Sequence, residues 1–379
     1  MTGIFTRRIG RNLSPSCSLP LVVFTAVSLL TAVNPARAYD VNDRLSIGVT
    51  AAAASQCQEI DNGGDDRCEE GYPAQPEISF NENGDHSAFV KLGFAERNGL
   101  NPVSPFALAT WAADLEDDVE NINGRNRDHL LTAWYRRRFH LGGNATLAVT
   151  GGIIDATDYL DDNAFANDEY TQFMNEVFVN APTAFLPSYD RGGVVDLERG
   201  PWSFRGVFMQ VGENDDGRGY NFYGGQVGYT LTTPRGEGTY RVVVAGTDGK
   251  FFDPTGTRFE ELSQLTFSAD QQLGEHIGVF LRIGWQDEDA LVTHDALYSG
   301  GISLSGGLWG RPDDTLGIGI AHLEGGNAGI TATHVGEIYY SLSVNDHLSL
   351  TGDVQVMRDR VPGADTKGTI LSLRATKVY

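Results

Sequence analysis

Hydrophobic and polar residues alternate one by one along most of the chain beyond its N-terminal segment. In the last segment, 369–379, apolar side chains such as Leu371 alternate with polar ones such as Arg374. The same alternation recurs in 264–270 and in 277–286. Successive side chains of a β-strand point to opposite faces, so this pattern predicts strands with one apolar and one polar face.

Sixteen segments of this kind can be assigned. They are 44–56, 76–82, 86–96, 129–140, 145–155, 191–198, 202–212, 220–231, 239–248, 261–272, 276–287, 295–306, 314–324, 332–344, 347–358 and 368–379. The connections alternate between a short set, which includes the turn 83–84, and a mostly long and acidic set. The long set is 57–75, 97–128, 156–190, 213–219, 249–260, 288–294, 325–331 and 359–367. Outer-membrane barrels have short periplasmic turns and longer external loops, and the sorting predicts such a barrel.

A soluble β-sandwich would also alternate, with its apolar face inside. Three features favour a barrel whose apolar face meets lipid. Many of the segments have about 10–13 residues, close to the ~9–11 that cross a bilayer at a tilt. Aromatic residues such as Trp202, Trp285 and Tyr340 stand near segment ends, where interfacial girdles lie. The chain ends on the aromatic Tyr379, typical of the strand that the outer-membrane assembly machinery recognises. We therefore predict an all-β fold: one 16-stranded antiparallel transmembrane β-barrel over 39–379, with short helices in its loops.

The N-terminal segment has the features of an export signal. Arginines within 7–11 precede an apolar run, 19–33, and the small residues Ala36 and Ala38. Residues 1–38 are therefore predicted to be a signal peptide. A membrane anchor is the alternative, but the apolar run is shorter than the ~20 residues of a spanning helix. Export and the barrel pattern together predict the outer membrane of a Gram-negative bacterium.

Cysteine usage agrees with export. Cys17 would leave with the signal peptide, so Cys57 and Cys68 would be the remaining cysteines. Because exported proteins meet an oxidising compartment, a disulfide between these two is expected. Two free thiols are the alternative.

Composition narrows the possible partners. Fifty acidic residues against 28 lysines and arginines give a net charge of −22, which argues against nucleic acid as a partner. Three cysteines do not suggest a zinc or iron–sulfur site, and we expect no metal and no cofactor. Acidic groups such as Asp65 and Asp66 could bind calcium, but they lack the spacing of an EF-hand loop, so solvated loops are favoured.

Charged residues within alternating strands indicate the interior. A charge facing lipid near the midplane costs ~2–4 kcal/mol, so these side chains should face the lumen. The predicted pore-lining, substrate-binding residues are Arg136, Arg138, Arg205, Arg241, Arg282, Arg374, Lys91, Glu337, Asp270 and Asp353. Guanidinium and carboxylate groups can hydrogen-bond a polyhydroxylated solute. The alternative is that they pair only with one another.

Two loops are too long for simple connectors. Loops 97–128 and 156–190 contain helix-like stretches at 107–115 and 163–179. Long loops in compact domains are usually functional, so we expect both to fold into the mouth of the barrel and narrow it. The alternative is a cap that stays on the surface.

Several stretches resemble the OprB family of carbohydrate-selective porins. They are 89–95, 161–175, 308–319 and 337–340, with Gln172-Phe173-Met174-Asn175 and Arg311-Pro312-Asp313-Asp314 as the more specific blocks. The resemblance implies a sixteen-stranded outer-membrane barrel that passes sugars such as glucose through an eyelet of arginine and acidic side chains. Its implied partners are carbohydrate solutes, outer-membrane lipids and the assembly machinery; a homotrimer and a monomer are both compatible.

Three other functions compete with sugar permeation. An acidic mouth and a basic eyelet could equally serve a general or ion-selective porin. An enzyme would need a nucleophile with an oriented base. The pairs His294-Asp295 and Asp346-His347 come with no matching serine motif, so we expect no enzyme. A structural barrel that does not conduct is the third alternative.

Overall fold

A computed structural model describes residues 39–61, 64–82 and 84–379. The expected signal peptide, 1–38, lies outside the described residues, and so does Asn83 of the predicted turn 83–84.

Twenty strands are assigned in the described residues. They are β1 (Tyr39–Asn42), β2 (Leu45–Ile60), β3 (Arg67–Gly71), β4 (Ala74–Glu82), β5 (His86–Leu92), β6 (Leu130–Gly142), β7 (Ala145–Ile154), β8 (Asp190–Arg199), β9 (Trp202–Val211), β10 (Tyr220–Thr233), β11 (Gly236–Thr247), β12 (Phe251–Phe252), β13 (Phe259–Glu260), β14 (Ser263–Leu273), β15 (Ile277–Gln286), β16 (His294–Ser305), β17 (Thr315–Gly325), β18 (Ala332–Asn345), β19 (Leu348–Val361) and β20 (Ala364–Val378). Two short α-helices, α1 (Glu116–Val119) and α2 (Glu176–Val179), lie in the connections. Three 3₁₀ turns occupy Ile122–Gly124, Pro182–Ala184 and Gly306–Trp309. No helix in the described ranges is long and apolar enough to cross a membrane.

The strands form a closed antiparallel barrel. Neighbours along the chain pair in sequence, and β20 returns to pair with β2, with Thr50 opposite Val378. Both β3 and β4 pair with β2, so they act as one strand interrupted at residues 72–73. The main sheet of the described residues has eighteen strands. Counting β3 with β4 on one side of β2, and β1 with β20 on its other side, gives the predicted sixteen positions. The small β12–β13 hairpin forms a separate sheet in the loop that precedes β14.

The apolar face points outward. Ile320 is 69% exposed and Val195 is 50% exposed, whereas Arg282 and Thr266 are completely buried. This arrangement is the inverse of a soluble sandwich and is that of a transmembrane barrel.

Two predicted loops are wrong in part. The expected loop 359–367 is only the turn 362–363, because β19 and β20 extend on both sides of it. Gly363 takes a φ of +95° there, a conformation that glycine adopts without strain. The charged residues near this turn have a composition typical of loops, although they lie on the ends of β19 and β20.

The expected loop 57–75 is also shorter than predicted, since β2 runs to Ile60 and β3 occupies 67–71. Cys57 and Cys68 lie directly opposite each other on these two strands and form a disulfide. The disulfide therefore joins neighbouring strands of the wall rather than two points of a free loop.

Candidate functional site

The two long connections fold into the barrel. We call 93–129 the first inserted loop and 155–189 the second inserted loop. Trp111 of the first loop and Phe178 of the second are completely buried. The amide of Ala112 donates to the carbonyl of Met174 at 2.9 Å, so the two loops are joined to each other inside the wall. The predicted helix-like stretch 107–115 is irregular, with α1 beginning directly after it, and only the end of the stretch 163–179 is helical, as α2.

An aromatic cluster attaches the second inserted loop to the wall. The ring of Phe173 lies 4.9 Å from Phe178 and 4.9 Å from Tyr339, which points inward from β18. A Cβ on Gly319 of β17 would lie 2.8 Å from the ring of Phe178, so a glycine is required for this close approach. Apolar inward positions in these strands therefore bind the loop, whereas outward ones face lipid.

Polar wall residues complete the attachment. The Glu337 carboxylate accepts hydrogen bonds from the amides of Met174 at 2.6 Å and Asn175 at 3.1 Å. The Asn175 side chain in turn accepts from the amide of Val177 and caps α2. Gln355 donates to the carbonyl of Thr110 in the first inserted loop at 2.8 Å.

Two of the predicted pore arginines lie beneath the second inserted loop. Arg282 is completely buried and pairs with Asp161, with 2.7 Å between Nε and Oδ2. It also donates to the carbonyls of Phe178 and Val179, at 3.0 and 3.1 Å. Arg374, equally buried, donates to the carbonyls of Glu169 at 2.7 Å and of Gln172 at 2.9 Å. Both guanidinium groups thus hold the loop, and any effect they have on a solute acts through it.

Four other predicted residues belong to an alternating charge ladder on the wall. Its members, in order, are Arg136, Asp196, Arg205, Asp162, Arg241 and Asp270. Distances between successive charged groups run from 2.5 to 3.5 Å. The side chain of Asp162 is 35% exposed and that of Arg136 is 23% exposed, so part of the ladder faces solvent in the lumen.

The remaining predicted residues are spread over the interior. Arg138 donates to the carbonyl of Gly84 at 3.3 Å, near a periplasmic turn. Asp353 accepts from Gln355 at 3.2 Å. The Lys91 Nζ lies 3.8 Å from the Glu77 Oε1. Unlike the other nine predicted pore-lining residues, Lys91 borders the cavities described next. Whether any of the ten contacts a solute stays a prediction.

Two adjoining cavities of about 250 and 310 Å³ lie between the inserted loops and the wall. They share the lining residues Asp155, Thr157, Glu169, Val179, Asn180 and Tyr189. Asp114 and Glu176 complete the first cavity, and Glu77, Asp158 and Asp168 line the second beside Lys91. Lys91 is the one basic residue among the described lining residues. We call this region the acidic constriction.

Burial weakens the acidity of the constriction. Desolvation raises the pKa of Asp114 to about 7, although the Tyr189 hydroxyl donates to this carboxylate at 2.6 Å. Desolvation, with repulsion from Asp155, raises the pKa of Asp158 to about 7. Near neutral pH the constriction therefore changes charge while its carboxyl, hydroxyl and amide groups remain able to hydrogen-bond a solute.

Most of the constriction was missed by the sequence analysis. Asp114, Asp155 and Asp158 are on loops, where no periodicity indicates direction. A usable signal was their position: Asp155 follows the last residue of β7 directly, and Tyr189 directly precedes β8.

A closed barrel of sixteen antiparallel strands, apolar outside and polar inside, with loops folded into its lumen, defines an outer-membrane porin. Residues 227–371 match the carbohydrate-selective porin, OprB family. The chain belongs to this family.

The chain is also similar to individual proteins and solved structures. An uncharacterized protein of Aquifex aeolicus (strain VF5) is 30% identical over 251 residues, which cover 65% of this chain and 70% of that protein. The high-pH structure of Pseudomonas putida OprB superposes with a TM-score of 0.69 at 14% identity, covering 94% of this chain and 96% of the other. A mutant of the Rh. blastica porin gives a TM-score of 0.52 at 13% identity, covering 88% and 100%. These two structural likenesses concern the fold.

Proposed function

We propose that this porin lets small carbohydrates diffuse passively through the acidic constriction. The observation that carries the proposal is the lining of the two cavities, where carboxyl groups alternate with the hydroxyl, amide and ammonium groups of residues such as Tyr189, Asn180 and Lys91. These groups can donate to and accept from sugar hydroxyls. Cavities of about 250 and 310 Å³ are at the small end of ligand pockets, which favours small solutes.

The charge ladder supports the same proposal from the opposite side of the second inserted loop. Asp162 of this loop binds Arg205 at 2.8 Å and Arg241 at 2.7 Å. The loop is thereby held between the ladder and the constriction, so a solute meets a fixed opening. The protein acts as a channel in this proposal, and no step of it needs a catalyst or a cofactor.

The route to the membrane is part of the proposal. The signal peptide 1–38 would direct export, and the assembly machinery would recognise β20 and the final Tyr379. Support comes from the closing strand itself: the amide of Tyr379 donates to the carbonyl of Val49 on β2 at 2.9 Å, so the C-terminal strand completes the barrel. A homotrimer and a monomer both fit this account.

Liposome swelling tests the function. Vesicles containing the refolded protein should swell faster with monosaccharides than with amino acids of equal size. Lys91→Gln and Asp158→Asn should reduce the preference for sugars, because both side chains line the opening. The matched control is Arg137→Gln, whose guanidinium lies beside the exposed Phe139 on the outer face. Uptake that depends on size alone would contradict sugar selectivity and leave a general porin.

A second candidate is a cation-preferring diffusion porin. The acidic constriction favours it, because carboxylates attract cations and repel anions at a narrow point. A reversal potential near zero under a salt gradient would exclude it. Sugar preference in swelling together with a cationic reversal potential would show that one opening serves both solutes.

A further inference from the structure

A row of basic and aromatic side chains crosses five neighbouring strands on the outer face of the barrel. The row is Tyr298, His322, His334, Arg358 and Lys367, and each residue is the direct cross-strand partner of the next. The row lies near the ends of the strands that meet the longer, external loops. At this level an aromatic girdle is expected, and Trp285 and Tyr298 continue it on β15 and β16. On β17 to β20 the girdle is replaced by histidine, arginine and lysine.

An apolar groove runs directly below this row, toward the middle of the membrane. Its floor is Gly336, which lies between Ile320 and Val356 in the register. Ile320 is 69% exposed and Val356 is 48% exposed, and a Cβ on Gly336 would have no atom within 4 Å. The resulting cavity has a volume of about 690 Å³ and is bordered above by His322, His334, Arg358 and Lys367. A groove of this shape suits a hydrocarbon chain.

The arginine and the lysine above the groove are available to an anion. The Nδ1 atoms of His322 and His334 are buried, so the anion contacts are assigned to Arg358 and Lys367. Arg358 pairs with Asp365, and Lys367 pairs with Asp61 at 3.0 Å. Both pairs are between a third and a little over half exposed, and exposed ion pairs are weak. Phosphate oxygens form charge-assisted, often bidentate hydrogen bonds with guanidinium groups, as carboxylates do, so a phosphate can replace these weakly held carboxylates.

We propose that this groove binds an anionic, phosphate-bearing lipid of the outer leaflet. An acyl chain lies against Ile320, Gly336 and Val356, and the phosphate contacts the arginine and the lysine of the basic row. The position of the row toward the external loops places the phosphate at the outer surface of the membrane. Charge complementarity favours such a lipid over a second copy of this acidic chain, whose net charge is −22.

Native mass spectrometry of the full barrel in detergent tests the proposal. The probes are bis-phosphorylated lipid A, phosphatidylethanolamine and inorganic phosphate. The wild-type barrel should retain lipid A at least tenfold more tightly than phosphatidylethanolamine. Millimolar inorganic phosphate should not displace it, because phosphate lacks the acyl chain. Equal retention of the two lipids, or displacement by phosphate alone, would overturn the proposal.

Variants separate the groove from the rest of the outer face. Gly336→Val fills the groove and should lower lipid A retention at least tenfold, and Arg358→Gln with Lys367→Gln should do the same. Gly352→Val is the matched control: Gly352 also faces outward with open space beside it, but lies near the periplasmic end of β19. Unchanged conductance would show that the variant barrels fold. Equal loss in Gly352→Val and Gly336→Val, or no loss in either, would refute the site.

Discussion

Arg282 holds the second inserted loop through more contacts than a single ion pair. Besides pairing with Asp161, its guanidinium donates hydrogen bonds to the carbonyls of Phe178, Val179 and Ala166. Arg282→Gln would leave the buried Asp161 carboxylate without its counter-ion, and breaking a buried pair in this way costs about 3–5 kcal/mol. We expect the loop to detach, and single-channel conductance and protease cleavage within 155–189 to rise. Arg137→Gln is the control, since its side chain lies on the outer face beside the exposed Phe139. Unchanged conductance in Arg282→Gln would contradict the role of this residue.

The constriction should titrate near neutral pH. The pKa values of Asp114 and Asp158 are both raised to about 7. Each group is neutral well below that pH and negative above it, so cation preference should increase from pH 5 to pH 8. Asp155 and Lys91 face the same space, and the ammonium of Lys91 carries the same charge at both pH values, so it lowers cation preference equally at each.

Reversal potentials at the two pH values measure this change. Asp158→Asn should flatten the pH dependence, whereas Asp215→Asn, on an exposed external loop, should leave it intact. A preference that is the same at both pH values would show that these carboxyl groups do not face the permeating ions.

At the scale of elements, removing part of the second inserted loop should widen the opening. Deletion of 163–178 removes Phe173 and the contacts of Met174 with Glu337, while Asp161 and Asp162 remain. We expect single-channel conductance to rise severalfold. The control replaces the exposed tip 254–257 of the β12–β13 hairpin by glycine and serine, which should leave the single-channel conductance unchanged. Unchanged conductance after the deletion would indicate that ions pass elsewhere.

The strands could be predicted from the sequence because each strand has one face toward lipid and one toward the lumen, which produces a period of two. The parity of a position then shows whether its side chain points inward or outward. Parity correctly placed Arg282 on the inner side but could not show that a loop covers it. Asp114 and Asp155 have no periodicity, since their positions depend on contacts between distant loops. Strand β3 was missed because Cys68 lies among charged residues that resemble a loop. What could not be predicted from the sequence was therefore the tertiary packing of the loops inside the lumen.

For the whole molecule, two sources of negative charge act on a permeating ion. The acidic constriction acts at contact, whereas the external loops act through the solvent over a Debye length of about 30 Å at 0.01 M salt and about 3 Å at 1 M. Cation preference should therefore fall as salt rises and reach a remainder that belongs to the constriction. Asp158→Asn should lower the preference at 1 M. Neutralising the exposed Asp215 and Asp289 should lower it only at low salt. Reversal potentials measured across this range of salt check both, and a preference lost entirely at 1 M would assign the selectivity to the loops.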